Sequence, residues 1–150
     1  MTDVDLGFDA ALVKAALIEE AQSLRADLET RIREKLSGEV LNARSGALLQ
    51  SISAGVEEDG DDIVITAASS GVPYAAILEN GGKTAAHEIV AVKAKALAFV
   101  AGAAQHFAKK VHHPGSAIKA YHYLSGSLDE ISHGAEERLK SAVLRALGED

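Results

Sequence analysis

The chain has no cysteine and no tryptophan, and it has only two prolines, three phenylalanines and three tyrosines in 150 residues. Without cysteine it can form neither a disulfide framework nor a thiolate metal site. No apolar run approaches the roughly 18 residues of a membrane-spanning helix, and the acidic start, Met1–Asp5, lacks the basic beginning of a signal peptide. These absences predict a protein without a membrane segment that assembles in a reducing cytoplasm.

The charge balance of the chain is one-sided. Its net charge is −7 and its pI is near 5.3, so a uniformly acidic surface would repel DNA phosphates and disfavour sequence-specific DNA binding. Hydrophobic residues make up 47% of the chain, which indicates a globular fold, and the length predicts a single domain over residues 1–150. Much of this hydrophobic share is alanine, which buries little area, so we expect partner subunits to complete the core.

A long amphipathic helix is predicted over about residues 9–36. Apolar residues recur there at steps of three and four and therefore share one face: Leu17, Ala21, Leu24, Leu28, Ile32 and Leu36. The other face carries acid-before-base pairs four residues apart, Asp27–Arg31 and Glu29–Arg33. We interpret this charged face as solvated or as a subunit contact, so Arg31 and Arg33 are candidate interface residues.

A β-hairpin is predicted at the start of a sheet region over about residues 50–112. Alternating apolar residues at 52–56 and 63–67 flank an acidic segment, Glu57–Asp62, in which Gly60 supplies the turn. Carboxylates suit calcium, but their order here matches no calcium-binding loop. We therefore interpret the tip as solvated, with Glu57, Glu58 and Asp59 as candidate interface residues.

The rest of the sheet region is predicted to alternate turns with short elements. Pro73 opens a short helix with Tyr74, Ile77 and Leu78 packed inward, and Asn80-Gly81-Gly82 ends it. The small residues of 81–86 predict a mobile loop, so Gly81 and Gly82 join the candidate interface residues. Strands are predicted at 87–91 and 107–111, with 96–100 either a strand or a helix.

The C-terminal helix is predicted over about residues 127–147. Ser127 and Glu130 stand three residues apart, as in a capping box, and would open the helix. Apolar residues then recur on one face: Leu128, Ile131, Ala135, Leu139 and Val143. The predicted fold class is α+β, with a small antiparallel sheet packed against the long N-terminal and C-terminal helices.

No pattern of catalytic, cofactor-binding or metal-binding residues is visible. The six histidines include no helical pair four residues apart, and adjacent His112 and His113 point to opposite sides of an extended chain. Gly81-Gly82-Lys83-Thr84 lacks the upstream glycine and the preceding apolar strand of a phosphate-binding loop. Glu79 stands as a lone acid. We therefore expect no enzyme activity, no cofactor and no metal.

Four short motifs nevertheless stand in a fixed order between Ser45 and Gly115. The first is Ser45–Ile52, in place of TG-x-L-x-x-S-I, and the second is Tyr74-Ala75 with Glu79 and Gly81, which matches YA-x-x-x-E-x-G. The third matches H-x-I-x-P-x-x-x-K-A-L-x-F through His87, Ile89, Lys95-Ala96-Leu97 and Phe99. The fourth matches V-x-H-P-G through Val111 and His113-Pro114-Gly115. In this order the segment resembles the tail-completion or head–tail joining (neck) proteins of long-tailed phages, the lambda gpZ-like minor tail proteins.

The resemblance implies a structural virion protein that is not an enzyme. The expected assembly is a ring of identical subunits, expected to be a hexamer, between the connector or stopper and the tail tube, with DNA passing through its channel. The expected location is the virion neck, after assembly in the host cytoplasm, of a phage or a phage-like particle. A tail terminator that caps the tail tube is the first alternative, and a small cytoplasmic enzyme or ligand-binding protein is the second.

Overall fold

The computed structural model of the protein describes Gly7, residues 9–42 and residues 45–149, so Met1–Asp5 lie outside the described residues. Its helices are α1 (Ala10–Leu36), α2 (Ala47–Gln50), α3 (Ala75–Asn80) and α4 (Ser125–Leu147). Its strands are β1 (Ile52–Asp59), β2 (Asp62–Ser69), β3 (Gly82–Lys83), β4 (His87–Val90), β5 (Leu97–Ala101), β6 (Ala104–Ala108), β7 (Lys110–His113) and β8 (Ala117–Ile118). The fold is α+β, with long terminal helices and small antiparallel sheets, as the sequence predicts.

The N-terminal helix has the predicted bounds and the predicted buried face. The side chain of Asp9 accepts hydrogen bonds from the backbone N–H groups of Ala11 and Leu12, which satisfies two of the free donors at the helix start. Five of the six predicted stripe residues are buried, and Leu17 is half-buried. Gly38, with a φ of +121°, lies just beyond the C-terminal cap at Ser37.

The core lies between α1, α4 and the β1–β2 hairpin. Its cluster of buried residues is Leu28, Ile32, Leu36, Leu48, Ile52, Ala75 and Tyr123. The hairpin has the predicted strands, with residues paired from Ile52↔Ser69 to Asp59↔Asp62 and Gly60 at a φ of +62° in the two-residue turn. Because side chains alternate along β2, Ile63, Ile65 and Ala67 are half-buried, whereas Val64 and Thr66 face solvent.

The single sheet of the prediction is wrong, because the strands form four separate two-stranded ribbons. Three of these ribbons are nested: β3 pairs with β8, β4 with β7 and β5 with β6. They make one long hairpin over residues 82–118, which turns at Gly102 with a φ of +67° and carries an unpaired excursion at 91–96. We name residues 82–118 the arm and the other described residues the body.

Two further predictions of local structure are wrong, and a third is not tested. The chain returning at 107–111 is not one strand, because β6 and β7 divide it and β8 follows. Tyr74 does not pack inward, since 44% of it is exposed at the start of α3. The segment 81–86 is not wholly irregular, because Gly82 and Lys83 pair with Ile118 and Ala117; its mobility in a free subunit stays a prediction.

The predicted capping box does not open the C-terminal helix, which begins two residues earlier, at Ser125. Ser127 lies inside the first turn of α4, fully buried, and its hydroxyl donates to the Tyr123 carbonyl at 2.6 Å. Glu130 instead pairs with Lys35 of α1 at 2.8 Å. The sequence pattern misses the true N-terminal cap of α4, because the acid that caps this helix comes from α3, far away in sequence.

Candidate functional site

Glu79 joins α3 to the beginning of α4 within the body. It lies on α3 and is buried, and its carboxylate accepts hydrogen bonds from the N–H groups of Leu124 and Ser125 at 2.8 and 2.9 Å. The Ser125 hydroxyl donates to the same carboxylate. Because these donors stand at the beginning of α4, Glu79 caps this helix from another element and meets the positive end of its dipole.

The protonation of Glu79 follows from this environment. Burial raises the pKa of the carboxyl, but the hydrogen bonds from the Ser125 hydroxyl and from the N–H groups of Leu124 and Ser125 outweigh it, so the net pKa lies below the usual value. His122 stands close by, with its Nδ1 3.3 Å from the Ser125 hydroxyl and a φ of +48°. An ionised carboxylate whose two oxygens accept hydrogen bonds from the first residues of α4 has the geometry of a helix cap.

Two glycines of the motifs are required by close backbone contacts at the arm's root. A Cβ on Gly81 would lie 2.8 Å from the Ala120 nitrogen, and one on Gly115 would lie 2.1 Å from the Thr84 oxygen. Both residues also have positive φ angles, +71° and +85°. The candidate interface residue Gly81 therefore serves packing within the chain, and Gly82 lies in β3 beside it.

The motif residues that are distant in sequence meet in pairs. His87 lies opposite His113 in the β4–β7 ribbon, and their rings stack with centroids 5.0 Å apart. Ile89 lies opposite Val111 in the same ribbon. With the Gly115–Thr84 contact, these pairs fasten the outgoing and returning strands of the arm to each other. Residues of the third and fourth motifs therefore hold the two sides of this hairpin together.

The arm leaves both of its faces open. Ile89 and Val90 are neighbours in β4 and point to opposite faces, yet 38% and 54% of them are exposed. Val92, Val100 and Phe107 are exposed by 90%, 74% and 68%. Extensive contacts between elements join either two elements of the body or two of the arm. An isolated two-stranded ribbon is marginally stable in water, so this surface is suited to a partner.

The charges of the chain are divided between the two regions. Residues 82–118 carry five lysines and one acid, Glu88, which gives the arm a net charge of +4. Because the whole chain carries −7, the remainder carries −11. Four of the six histidines also lie in the arm. The uniform acidic surface expected from composition is therefore wrong, since five of the nine lysines lie in the one segment that folds as the arm.

The remaining candidate interface residues divide into free and occupied ones. Glu57, Glu58 and Asp59 are exposed at the tip of the body hairpin, where Glu58 pairs with Lys14 at 2.9 Å. Arg33 donates to the carbonyls of Leu49 and Ile52 and to Glu29, which confirms the predicted Glu29–Arg33 pair. Its guanidinium is thus occupied within the chain.

Arg31 is also engaged inside the chain, and its predicted pair with Asp27 is wrong. It pairs with Glu39 at 2.6 Å and with Glu130, while Asp27 pairs with Arg138 at 2.6 Å. Hydrogen bonds from Arg31 and then Lys35 lower the pKa of Glu130 to about 2. These contacts tie α1 to α4, so Arg31 serves the fold.

An apolar groove opens between the first half of α1 and the second half of α4. Its walls are Leu17, Leu139, Val143 and Leu144, with Glu136 and Lys140 at the rim. Leu144 is 45% exposed there. A separate cavity of about 240 Å³ borders Glu79, which is below the roughly 300–1,000 Å³ of most small-molecule sites. The groove is open and shallow, as a docking surface for another chain would be.

Two classes of site are not found in the part of the chain that the structure describes. No group of three or more metal-binding side chains is close enough to hold an ion. No described helix combines the length and the apolar character needed to cross a membrane. Gly82 and Lys83 of the GGKT segment lie in β3, so the segment does not form a phosphate-binding loop. No protein-family model, curated protein or solved structure matches the chain.

Proposed function

We propose that the chain is a structural subunit of a phage neck, a tail-completion protein that forms a ring between the connector and the tail tube. The observation that carries this proposal is the arm, which exposes apolar side chains on both faces and whose returning residues 104–113 extend for about 33 Å. Such a ribbon gains stability only against a partner. The residues that close this hairpin, among them His87, Val111 and Gly115, belong to the third and fourth of the motifs that resemble the neck family.

Neighbouring subunits are the partners that a ring requires. A head-to-tail contact that closes on itself saturates every interface and stops growing, which suits a joint of fixed diameter. The predicted partners are therefore further copies of this chain, then the connector or stopper and the tail tube, with DNA in the channel. The acidic body favours DNA that slides through without being held.

The enzyme alternative is supported less well by the geometry. Its best candidate is the cluster of Glu79, His122 and Ser125, in which the serine hydroxyl donates to the carboxylate and not to the imidazole. A chain that bound magnesium, zinc or a nucleotide at a hundredfold excess over its Kd would gain about 2.7 kcal/mol of stability. Thermal unfolding with each ligand tests this alternative, and we expect unchanged melting temperatures.

Deletion of the gene from its parent particle tests the neck role. We expect DNA-filled heads and separate tails, with few joined infectious particles. A tail terminator gives a different result, because a tube that is not capped continues to polymerise and tails of irregular length accumulate. Normal yields of joined particles would refute both roles.

A further inference from the structure

We propose that the arm of one copy docks into the α1–α4 groove of the next copy, an inference that rests on the proposed ring. Two unpartnered apolar surfaces carry it. One is the arm, with Val92, Val100 and Phe107 exposed by 68–90%; the other is the groove, with Leu144 at its edge. The two surfaces are complementary in shape, since the arm is a narrow ridge and the groove is a shallow trough.

Charge identifies the occupant as a second copy. The arm carries +4 and the rest of the chain −11, so the arm of one subunit is attracted to the body of another. Lys93, Lys95 and Lys109 are exposed and form no ion pair with any described residue, whereas Glu136 stands at the rim of the groove, where it pairs with Lys140. DNA would also attract these lysines, but phosphates offer nothing to the exposed Phe107 and Val100.

The two surfaces are not joined within one subunit as it is folded, because no extensive contact links a described arm strand to α1 or α4. The arm's root packs beside Ala120 and Glu79, at the beginning of α4, whereas Val143 lies 18 residues further along this helix. At 1.5 Å per residue the groove is about 27 Å from the root. The arm's root and the groove therefore lie near opposite ends of α4, so the donating and the accepting surface are at different ends of the subunit.

The resulting contact is head-to-tail, because each copy donates an arm at one end and accepts one at the other. Such an interface generates a closed ring or an open filament, and the rotation between copies decides which. The contact also completes the arm, since docking covers apolar side chains that a free subunit leaves in water.

Paired variants measured by sedimentation velocity and native mass spectrometry test the contact. Phe107→Ser removes the arm's exposed ring and Leu144→Ser opens the groove, and each is expected to weaken self-association at least about tenfold. Tyr74→Ser and Leu128→Ser are the matched controls, because they remove an aromatic ring and an α4 leucine of similar exposure, 44% and 51%, away from both surfaces. The controls are expected to assemble within about twofold of the wild type.

Mixing the two variants gives the sharpest result. The Leu144→Ser chain keeps an intact arm and the Phe107→Ser chain keeps an intact groove, so one good interface remains and a 1:1 dimer is expected where neither variant alone associates. A two-fold symmetric contact through either surface alone would not produce this dimer.

A second pair of variants tests the charges. Lys93→Glu with Lys95→Glu and Lys109→Glu is expected to abolish assembly, and Glu136→Lys in the same chain is expected to restore part of it. Far-ultraviolet circular dichroism checks that every variant keeps the fold.

Three outcomes would overturn the docking. They are a wild type that stays monomeric at the highest soluble concentration, assembly unaffected by either surface variant, and arm-dependent binding of a duplex DNA at physiological salt. None of these repeats the gene-deletion test, so a failed docking with tails still unjoined leaves the neck role standing. Joined particles after deletion refute that role whatever the arm binds.

Discussion

The body and the arm of this chain are stabilised in different ways. In the body, residues far apart in sequence pack together: Leu28 of α1, Ile52 of β1 and Tyr123 before α4 share one buried cluster. In the arm, each strand pairs with the strand that returns beside it, and both faces stay open to water. The body therefore has the features of an independent folding unit, whereas the arm is a two-stranded ribbon that buries neither of its faces.

Polar groups show the same difference. Arg138 of α4 reaches Glu20 and Asp27 of α1 at 2.6 Å each, and Glu79 of α3 caps α4. The described body thus joins its helices by charge pairs that bridge distant segments. The described ion pair of the arm, Lys110–Glu88 at 2.6 Å, is between neighbouring strands and exposed. Charges stabilise the body internally, while most of the arm's lysines remain available to a partner.

The largest expected effect comes from placing a charge in each region. Leu28→Asp buries an unpaired carboxylate in the core and is expected to cost several kcal/mol, enough to unfold the body. Val92→Asp, at 90% exposure, is expected to leave the free energy of unfolding unchanged and to act only on self-association. Urea denaturation measures both. Equal losses would show that the arm is part of the core.

A methyl group at the arm's root is expected to have the next largest effect. Gly115→Ala forces a Cβ against the Thr84 oxygen at a φ of +85° and is expected to cost about 2–4 kcal/mol. Amide hydrogen exchange should show lost protection in β3 and β8 before the body is affected. Gly134→Ala is the control, because its Cβ meets nothing within 4 Å on α4 and a gain of up to about 1 kcal/mol is expected.

Removing the charge of Glu79 tests the cap by which α3 holds the beginning of α4. Glu79→Gln replaces one acceptor oxygen by an amide donor facing N–H groups, and we expect a loss of about 1–3 kcal/mol near neutral pH. The folded pKa lies below the usual 4.5, so this stability is present above pH 4.5 and is lost as the pH falls below it.

The acid unfolding profile provides the check on this cap. The variant should lose less stability than the wild type as the pH falls below 4.5. Part of the acid loss remains in both proteins, because the lowered pKa of Glu130, about 2, gives a second contribution that falls away between pH 4.5 and 2. Identical acid profiles for both proteins would contradict the role of Glu79.

The smallest expected effect is that of the arm's ion pair. Lys110→Met removes a pair whose side chains are 55% and 53% exposed, and the expected change is within about 0.5 kcal/mol. Differential scanning calorimetry at low and high salt measures it. A loss that is large at low salt and vanishes at high salt would indicate that the arm is held to its own chain by charge.

Local patterns in the sequence predicted the elements better than their partners. The periodicity of α1 and the alternation in β1 and β2 each name a buried face, and the structure confirms these faces. Ser127 and Glu130 also match a local pattern, that of a capping box, but here the pattern misleads. A local rule fails where a distant residue satisfies the same backbone donors more fully, as Glu79 does.

The structure of the arm could be predicted only in part from the sequence. Its alanine-rich strands carry little alternation, so 96–100 stayed undecided between helix and strand, and β8 went unpredicted. The candidate interface residues are predicted from charged side chains and from glycines, yet Arg31 and Arg33 form contacts within the chain. Exposure of Val92, Val100 and Phe107 follows from pairing that no short pattern contains.

The sequence by itself determined the long terminal helices, the body hairpin, the α+β class and the order of motifs, because each depends on residues within a few turns or strands of one another. Only the tertiary structure decided that Glu79 caps α4 and that Gly81 and Gly115 lie close against the backbone of other segments at the arm's root. Those features depend on which segments lie side by side. The chain topology determines these neighbours, because the fold must bury the core and satisfy its polar groups at the same time.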